Sequence, residues 1–354
     1  MDLYDASELR QFAFDIFLTS GSNPDESKLI ADHLVDSNLV GHDSHGVVRI
    51  RKYIDWAKRG MVLPNRHSEV VVDRGASLLI DGNFGYGQVI GKEAMTSACE
   101  RAKQNGFSLV AIRNSGHLGR IGAWAELLAD EGLASFHFVN TSGFGILVAP
   151  HGGSDRRFSA NPLAAGAPVP NGAPIILDIA TSVIAEGKIY IAKNKRERLN
   201  PGQILDGTGK PTTDPEKFYA EPPGSIFPFG GHKGSGLSLF CEILAGSLTG
   251  GFSSHPSTPT AGRLVNNMLS LIFDPAAFGG NDFFRADITR LVQWAKESPP
   301  LVQGGKVLMP GEIELATKKQ REAAGIPIDN ESWSQILETA QSLGVVPSAT
   351  IRRH

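Results

Sequence analysis

Cysteine is nearly missing from this chain: Cys99 and Cys241 are the only two in 354 residues, far apart and with no cysteine partner nearby. Their scarcity excludes a disulfide framework and a zinc knuckle, suits a reducing compartment, and leaves both thiols to core packing. No apolar run reaches the roughly 20 residues of a membrane-spanning helix. The N-terminal stretch MDLYDASELRQFAFDIF has neither a basic n-region nor a long apolar core, so no secretory signal is read and the cytoplasm is the expected location. Long blocks of one charge are absent too. With 34 basic against 37 acidic residues and a net charge of -3, neither nucleic acid nor an anionic membrane is an expected partner, whereas a small molecule is. There is no internal repeat, no G-x-S-x-G elbow for a Ser-His hydrolase, and no third ligand spaced to join His42 and His45 around a metal.

Apolar residues make up 41% of the chain, enough for one large domain or two. Glu8 to Val40 reads as helices, with Ser7 as a cap and Asn23-Pro24 as a break. Beyond Leu63-Pro64-Asn65 the pattern changes to strands at Val70 to Val72 and Leu78 to Ile80, then to alternating helices and strands through Val139. Further strands are expected at Ile175 to Leu177 and Leu271 to Phe273, with an apolar helix at Leu237 to Leu248 and a surface excursion over Thr208 to Pro228. Asp287 to Lys296 and Ser332 to Leu343 return the chain to helix. The expectation is an α/β (α+β) protein. Residues 1–72 and 286–354 would form one discontinuous helical domain, and residues 73–285 an α/β domain between them.

The segment GHDSHGVVRIRKY carries the chemistry. His45, Arg49 and Tyr53 recur every four residues, a spacing that aligns side chains along one face of an α-helix. A guanidinium can grip a carboxylate with two parallel hydrogen bonds while a neighbouring imidazole exchanges a proton with the adjacent oxygen, which points to 2-oxo acid chemistry. Three glycine-bearing loops compete for a ligand. Gly85-Tyr86-Gly87-Gln88-Val89-Ile90-Gly91 mimics a dinucleotide loop, but no strand ending in an acidic residue follows about twenty positions later, so turn formation and close packing fit better. Gly230-Gly231-His232-Lys233-Gly234 opens the apolar helix and makes a plausible phosphate cradle, although it lacks the P-loop spacing. Asn114-Ser115-Gly116-His117 lies between a strand and a helix, where α/β folds gather ligands.

Together these segments resemble the malate/L-lactate dehydrogenase family, a non-Rossmann group that includes sulfolactate, ureidoglycolate and diketogulonate oxidoreductases. The likeness runs in order from Asp43-Ser44-His45-Gly46 with Arg49 and Tyr53, through Asn114-Ser115-Gly116-His117, Asn161-Pro162 and Asp178-Ile179-Ala180-Thr181-Ser182, to Gly187-Lys188, Asp206-Gly207, Gly231-His232-Lys233-Gly234 and Pro310-Gly311-Glu312. It covers most of the chain. The resemblance implies a mixed central sheet, a helical domain built from both chain ends, a homodimer, and an NAD- or NADP-dependent oxidoreductase without a metal. It places His45 as proton donor with Ser44 beside it, His117 as a catalytic or orienting histidine, and Arg49 with Tyr53 at the substrate. Cofactor contacts are implied at Asp178, Ile179, Ala180, Thr181, Ser182, His232, Lys233, Pro310, Gly311 and Glu312, and at Ser142. Ser159-Ala160 ahead of Asn161 departs from the Gly-Thr that many members carry.

The leading expectation is hydride transfer between a nicotinamide and C2 of a small 2-oxo acid. Its rivals are a reductase of cyclic imine carboxylates such as piperideine or pyrroline carboxylate, and a noncatalytic dinucleotide-binding sensor. Glu186 would repel a 2′-phosphate, against Lys193, Lys195 and Arg196, so NAD is favoured over NADP.

Overall fold

Strand Asp2–Tyr4 lies between Ile326–Ile328 and Arg352–Arg353, antiparallel to both, in the computed structural model, which describes residues 2–260 and 262–353. The helices Ala6–Thr19 and Pro24–Leu39 follow. Asp5, not Ser7, caps the first by accepting the Ser7 and Glu8 amides, and Asn23 caps the second through the Glu26 amide. Their apolar faces, including Leu9, Ile16, Ile30 and Leu34, share one core with Tyr53, Trp56, Trp333 and Ile336. Each large apolar side chain fully enclosed there contributes about 1.5–3 kcal/mol. Neither end of the chain could enclose that core alone.

The second core belongs to a seven-stranded sheet ordered Glu69–Asp73, Ser77–Asp81, Phe107–Ser115, Leu264–Phe273, Ala134–Gly143, Leu163–Ala167, Ile175–Ile179. Only Ser77–Asp81 and Phe107–Ser115 run parallel, and the helix Gly87–Asn105 provides the crossover that a parallel pair needs. All the other neighbours are antiparallel, so the sheet is mixed and not a doubly wound Rossmann sheet. Gly87–Asn105 and Gly122–Asp130 pack Ile90, Met95, Trp124 and Leu128 against Ile80, Val110, Ile112 and Met268. The divisions expected at 72/73 and 285/286 fall inside the strand Glu69–Asp73 and the helix Asn281–Lys296.

The expected excursion at Thr208 to Pro228 is folded. Two-residue strands Ile204–Leu205, Pro211–Thr212 and Ser225–Ile226 form a small sheet beside the helix Pro215–Tyr219, over a core of Val148, Ile184, Ile189, Ile204, Phe218 and Ile226. Strands that short leave no alternation for a sequence pattern to reveal. The apolar helix begins early, at His232–Cys241, and continues as a π-helical segment at Glu242–Ser247.

Burial makes the interior sensitive to acid. His137 is enclosed between Ser270 Oγ at 2.8 Å and Ser135 Oγ at 3.0 Å, and burial drives its pKa down to about 3. His33 falls to about 3 as well, through burial and then the Arg120 charge. Below the ordinary value of 6.5 the unfolded chain binds protons that the folded chain refuses, so stability is full above that pH and falls as the pH drops towards 3. Thermal melts should show Tm declining through this window, with a shallower slope in a folded His137→Gln variant. Parallel slopes would contradict the role given to His137.

Candidate active site

The active segment is not one helix. Asp43–His45 and Val47–Arg49 are separate 3-10 turns, split by an extended Gly46, and the α-helix starts only at Ile50–Lys58. Asn38 causes the break: its Oδ1 accepts the Val47 amide at 2.8 Å, and its Nδ2 donates to Asp43 Oδ1 at 2.7 Å. A Cβ at Gly46 would lie 2.1 Å from Asn38 Oδ1, so the position has no room for a side chain. Arg321, on the C-terminal helix Glu312–Ala324, clamps the Asp43 carboxylate at 2.6 and 3.0 Å. Asp43 therefore anchors the turn, and it is Ser44 that touches the His45 ring, Oγ to Nδ1, at 3.1 Å.

Although the helix is broken, His45, Arg49 and Tyr53 converge with His117. The His45 and His117 rings stack with centroids 5.5 Å apart and planes 15° from parallel. Tyr53 meets His117 Nδ1 at 2.6 Å. Arg49 Nε donates to the Ser44 carbonyl at 2.5 Å, which leaves the terminal edge of the guanidinium for a ligand. Gln88 was missed by the sequence reading. Its Nε2 donates to Tyr53 OH at 3.1 Å and approaches the His117 carbonyl at 3.4 Å, and that acceptor-only carbonyl fixes which end of the amide faces inward. With its oxygen accepting from Gln88, Tyr53 directs its own proton to His117 Nδ1, so neutral His117 carries its hydrogen on Nε2.

The dinucleotide-like glycines make this approach possible. A Cβ on Gly87 would lie 2.2 Å from the His117 carbonyl oxygen, and one on Gly116 would lie 2.6 Å from that of Gly85. Two glycine loops thus close backbone against backbone under His117. The only sequence signal was that both loops carry glycine where they meet.

Both imidazoles are half-buried. Burial first, and the Arg49 charge second, hold each well below the ordinary imidazole pKa, so both rings are neutral near pH 7. Burial lifts Tyr53 to about 12, against the opposing pull of Arg49, and keeps it a proton-bearing donor.

The three stretches implied for a cofactor border one edge of the sheet. Asp178 and Ile179 end the edge strand, where Asp178 Oδ2 accepts the Gly122 amide at 2.9 Å, and Ala180 follows directly. Thr181 bonds the Ala160 carbonyl through both its amide and its hydroxyl and accepts the Phe229 amide at 3.0 Å, while Ser182 bridges to Pro228. His232 and Lys233 start their helix directly after Gly230 and Gly231, whose φ angles of 55° and 62° make the sharp entry. Pro310 accepts the Ile176 amide at 3.1 Å, Gly311 packs on Ile176, and Glu312 opens the helix Glu312–Ala324, paired with Lys296. A helix start with the Lys233 ammonium beside it suits a pyrophosphate. Ser142 stands apart: it is fully buried and its hydroxyl donates to the Gly251 carbonyl at 3.2 Å.

Glu186 lies beside the turn that carries Ser44. A Cβ on the next residue, Gly187, would lie 3.6 Å from Ser44 Cβ, and Tyr219 OH donates to Glu186 Oε1 at 2.7 Å. Its charge acts on Arg49 and Lys52. Among the described residues, no group of three or more His, Cys, Asp or Glu side chains could hold a metal ion, and no helix is long and apolar enough to cross a membrane.

A family profile described as malate/L-lactate dehydrogenase matches residues 4–337. Hydroxycarboxylate dehydrogenase B of Escherichia coli K12 is 40% identical over 351 residues, covering 99% of this chain and 96% of that protein. The solved sulfolactate dehydrogenase of Methanocaldococcus jannaschii superposes with a TM-score of 0.87 at 34% identity, over 97% of this chain and 98% of that one. The Δ1-piperideine-2-carboxylate reductase of Pseudomonas syringae pathovar tomato gives 0.83 at 30% identity, over 96% and 100%. Dehydrogenases of this family imply a nicotinamide cofactor. With its mixed sheet and its histidine-arginine cluster, the chain belongs to the malate/L-lactate dehydrogenase family and is an oxidoreductase that interconverts 2-oxo and 2-hydroxy acids.

Proposed function

We propose that Arg49, His45 and His117 form one substrate site, in which a small 2-oxo acid is gripped by its carboxylate and protonated at its carbonyl oxygen. The observation that carries this reading is the stacked pair of imidazoles beside Arg49. When bound, the nicotinamide supplies the hydride that reduces substrate C2. Arg49 holds the carboxylate with its terminal nitrogens and so sets the face presented. His117, with its hydrogen on Nε2, donates to the carbonyl oxygen, and His45, oriented by Ser44, delivers the proton that the new alkoxide requires. Tyr53 acts through His117, which it holds in one tautomer.

Neutral histidines give this scheme a pH signature. The proton donor of reduction is charged only below its depressed pKa in the free protein, so kcat/KM for reduction should rise as pH falls through 6.5 without levelling there. A carboxylate on Arg49 removes part of the opposing charge, so the corresponding limb of kcat should lie at higher pH. Coincident limbs near the ordinary imidazole value would argue against His45 as donor.

The Asp178 to Ser182 stretch, His232 with Lys233, and Pro310 to Glu312 are the proposed cofactor ledge. NAD is the proposed coenzyme, because Lys193, one cation able to welcome a 2′-phosphate, is committed to Glu216 at 3.3 Å. Tighter fluorescence binding of NADPH than NADH would reverse that choice. The clamp and donor serve C=N as well as C=O, and the likeness to a piperideine-carboxylate reductase makes cyclic imines the second substrate class to assay. NADH absorbance should fall with pyruvate, oxaloacetate or sulfopyruvate. A fall with the imines alone would install the rival, and no fall with either class would leave a dinucleotide sensor.

A homodimer in the cytoplasm completes the proposal. The helix Asn281–Lys296 has no buried residue and carries Phe283, Leu291 and Trp294 on one face at 63, 58 and 73% exposure, a stripe that water disfavours. A sedimentation mass of one chain would remove the dimer, and secretion of the native protein would remove the location.

A further inference from the structure

Glu242 is the first residue of the π-helical segment and is only 4% exposed. No lysine, arginine or histidine pairs with it among the described residues; its partners are three N–H donors. Oε1 accepts Asn161 Nδ2 at 2.8 Å, and Oε2 accepts Asn140 Nδ2 and the Ser254 amide, each at 2.9 Å. A carboxylate buried without a cation is costly, and only its hydrogen bonds offset that cost, so the groups that supply them are held firmly to it.

The bonds lead from Glu242 to the catalytic loop. Asn140 gives one amide hydrogen to Glu242 and the other to the Phe252 carbonyl, so its Oδ1 is free to accept Asn267 Nδ2 at 2.9 Å. Asn267 gives its second hydrogen to the Gly251 carbonyl at 2.9 Å, and its Oδ1 then accepts the Asn114 amide at 3.1 Å. One end of this chain, the carboxylate, can only accept, and the other, a backbone N–H, can only donate. Two asparagines between such ends have a single consistent orientation. Space is reserved for it: a Cβ on Gly251 would lie 2.0 Å from Asn267 Oδ1, and one on Gly246 would lie 2.7 Å from Asn140 Nδ2. A second hook, Asn266 Oδ1, holds the Leu118 amide at 3.0 Å, so His117 hangs between two amide-oxygen supports on the strand Leu264–Phe273.

We infer that Glu242 is a positioning residue for catalysis: it fixes the direction of the Asn140–Asn267 relay and thereby holds the 114–118 loop where His117 meets Tyr53 and His45. The inference rests on the reading of His117 given above. The helix that begins at His232 and Lys233 has its own tie to Asn161, whose Nδ2 reaches Ser238 Oγ at 3.0 Å and the Ser238 carbonyl at 3.2 Å without passing through Glu242.

Two substitutions at 242 and one at 267 test it, each followed by kcat, NADH affinity and hydrogen exchange of the 114–118 segment. Glu242→Gln keeps an oxygen for Asn140 and Ser254 and sets its new amide against Asn161 Nδ2, itself a donor, so Asn161 must turn over to present the Oδ1 that has no partner among the described residues; the relay to Asn267 is untouched and kcat should stay within about threefold. Glu242→Met removes every acceptor. Its kcat should fall on the order of tenfold to a hundredfold with NADH affinity within about twofold, and exchange at 114–118 should quicken. Should Glu242→Met not fold, Asn267→Ser cuts the relay at its middle without stranding a charge, and the same pattern is expected. Parental kcat and exchange in the relay-breaking variant would overturn the inference, as would kcat, affinity and folded fraction falling together. Full activity in His117→Ala would overturn the site reading alone, and the exchange result would still decide whether Glu242 holds the loop.

Discussion

Replacing His45 by alanine will lower kcat for reduction of a 2-oxo acid by about 10²–10⁴-fold, the span usual for a lost general acid, and will leave NADH affinity close to normal. The two halves of this expectation have separate structural grounds. His45 lies on the turn Asp43–His45, stacked on His117 and bonded to Ser44, whereas the proposed cofactor ledge hangs on the edge strand Ile175–Ile179. Removing the ring takes away the proposed proton source but none of the hydrogen bonds that shape the ledge. Steady-state kinetics with fluorescence titration of NADH check both halves. A loss smaller than tenfold would transfer the donor role to His117, and a matching loss of NADH affinity would mean that the turn belongs to the cofactor site as well.

Arg49→Lys should raise KM for a 2-oxo acid and lower kcat, with about a tenfold to hundredfold loss in kcat/KM, because hydrogen bonds to a charged group are worth about 1.5–3 kcal/mol. Lysine keeps the charge and loses the fork. It also loses Nε, which donates to the Ser44 carbonyl at 2.5 Å and steadies the residue that orients His45. One substitution thus loosens both substrate and donor, so KM and kcat should move together. A raised KM with unchanged kcat would show that the clamp binds without orienting. Unchanged kinetics would remove Arg49 from the substrate site.

How far the sequence discloses this arrangement is clearest at the active segment itself. The spacing of His45, Arg49 and Tyr53 points to one cluster, and they form one, but the helical reason for it is incorrect. Gly46 breaks the helix, and the break is made by Asn38 and braced by Arg321, a residue more than 270 positions away in sequence from Asp43. Local periodicity carries no trace of such a contact. Gln88 is hidden for the same reason: it follows a glycine loop whose use is to admit the His117 backbone, visible only once Gly87 and Gly116 lie together. Composition and periodicity do reveal the long helices and strands, because amphipathic stripes there are set by neighbours in the chain. The lobe around Phe218 escapes, since two-residue strands hold no period.

The central claim is that a guanidinium and two stacked imidazoles meet on a single bound organic anion. A crystal structure grown with NADH and oxamate, a non-reducible analogue of a 2-oxo acid, tests it most directly. The expected density shows the oxamate carboxylate on the terminal nitrogens of Arg49, with its amide oxygen within hydrogen-bond reach of His45 and His117. Oxamate bound away from Arg49, or held by Arg49 with both imidazoles out of reach, would contradict it.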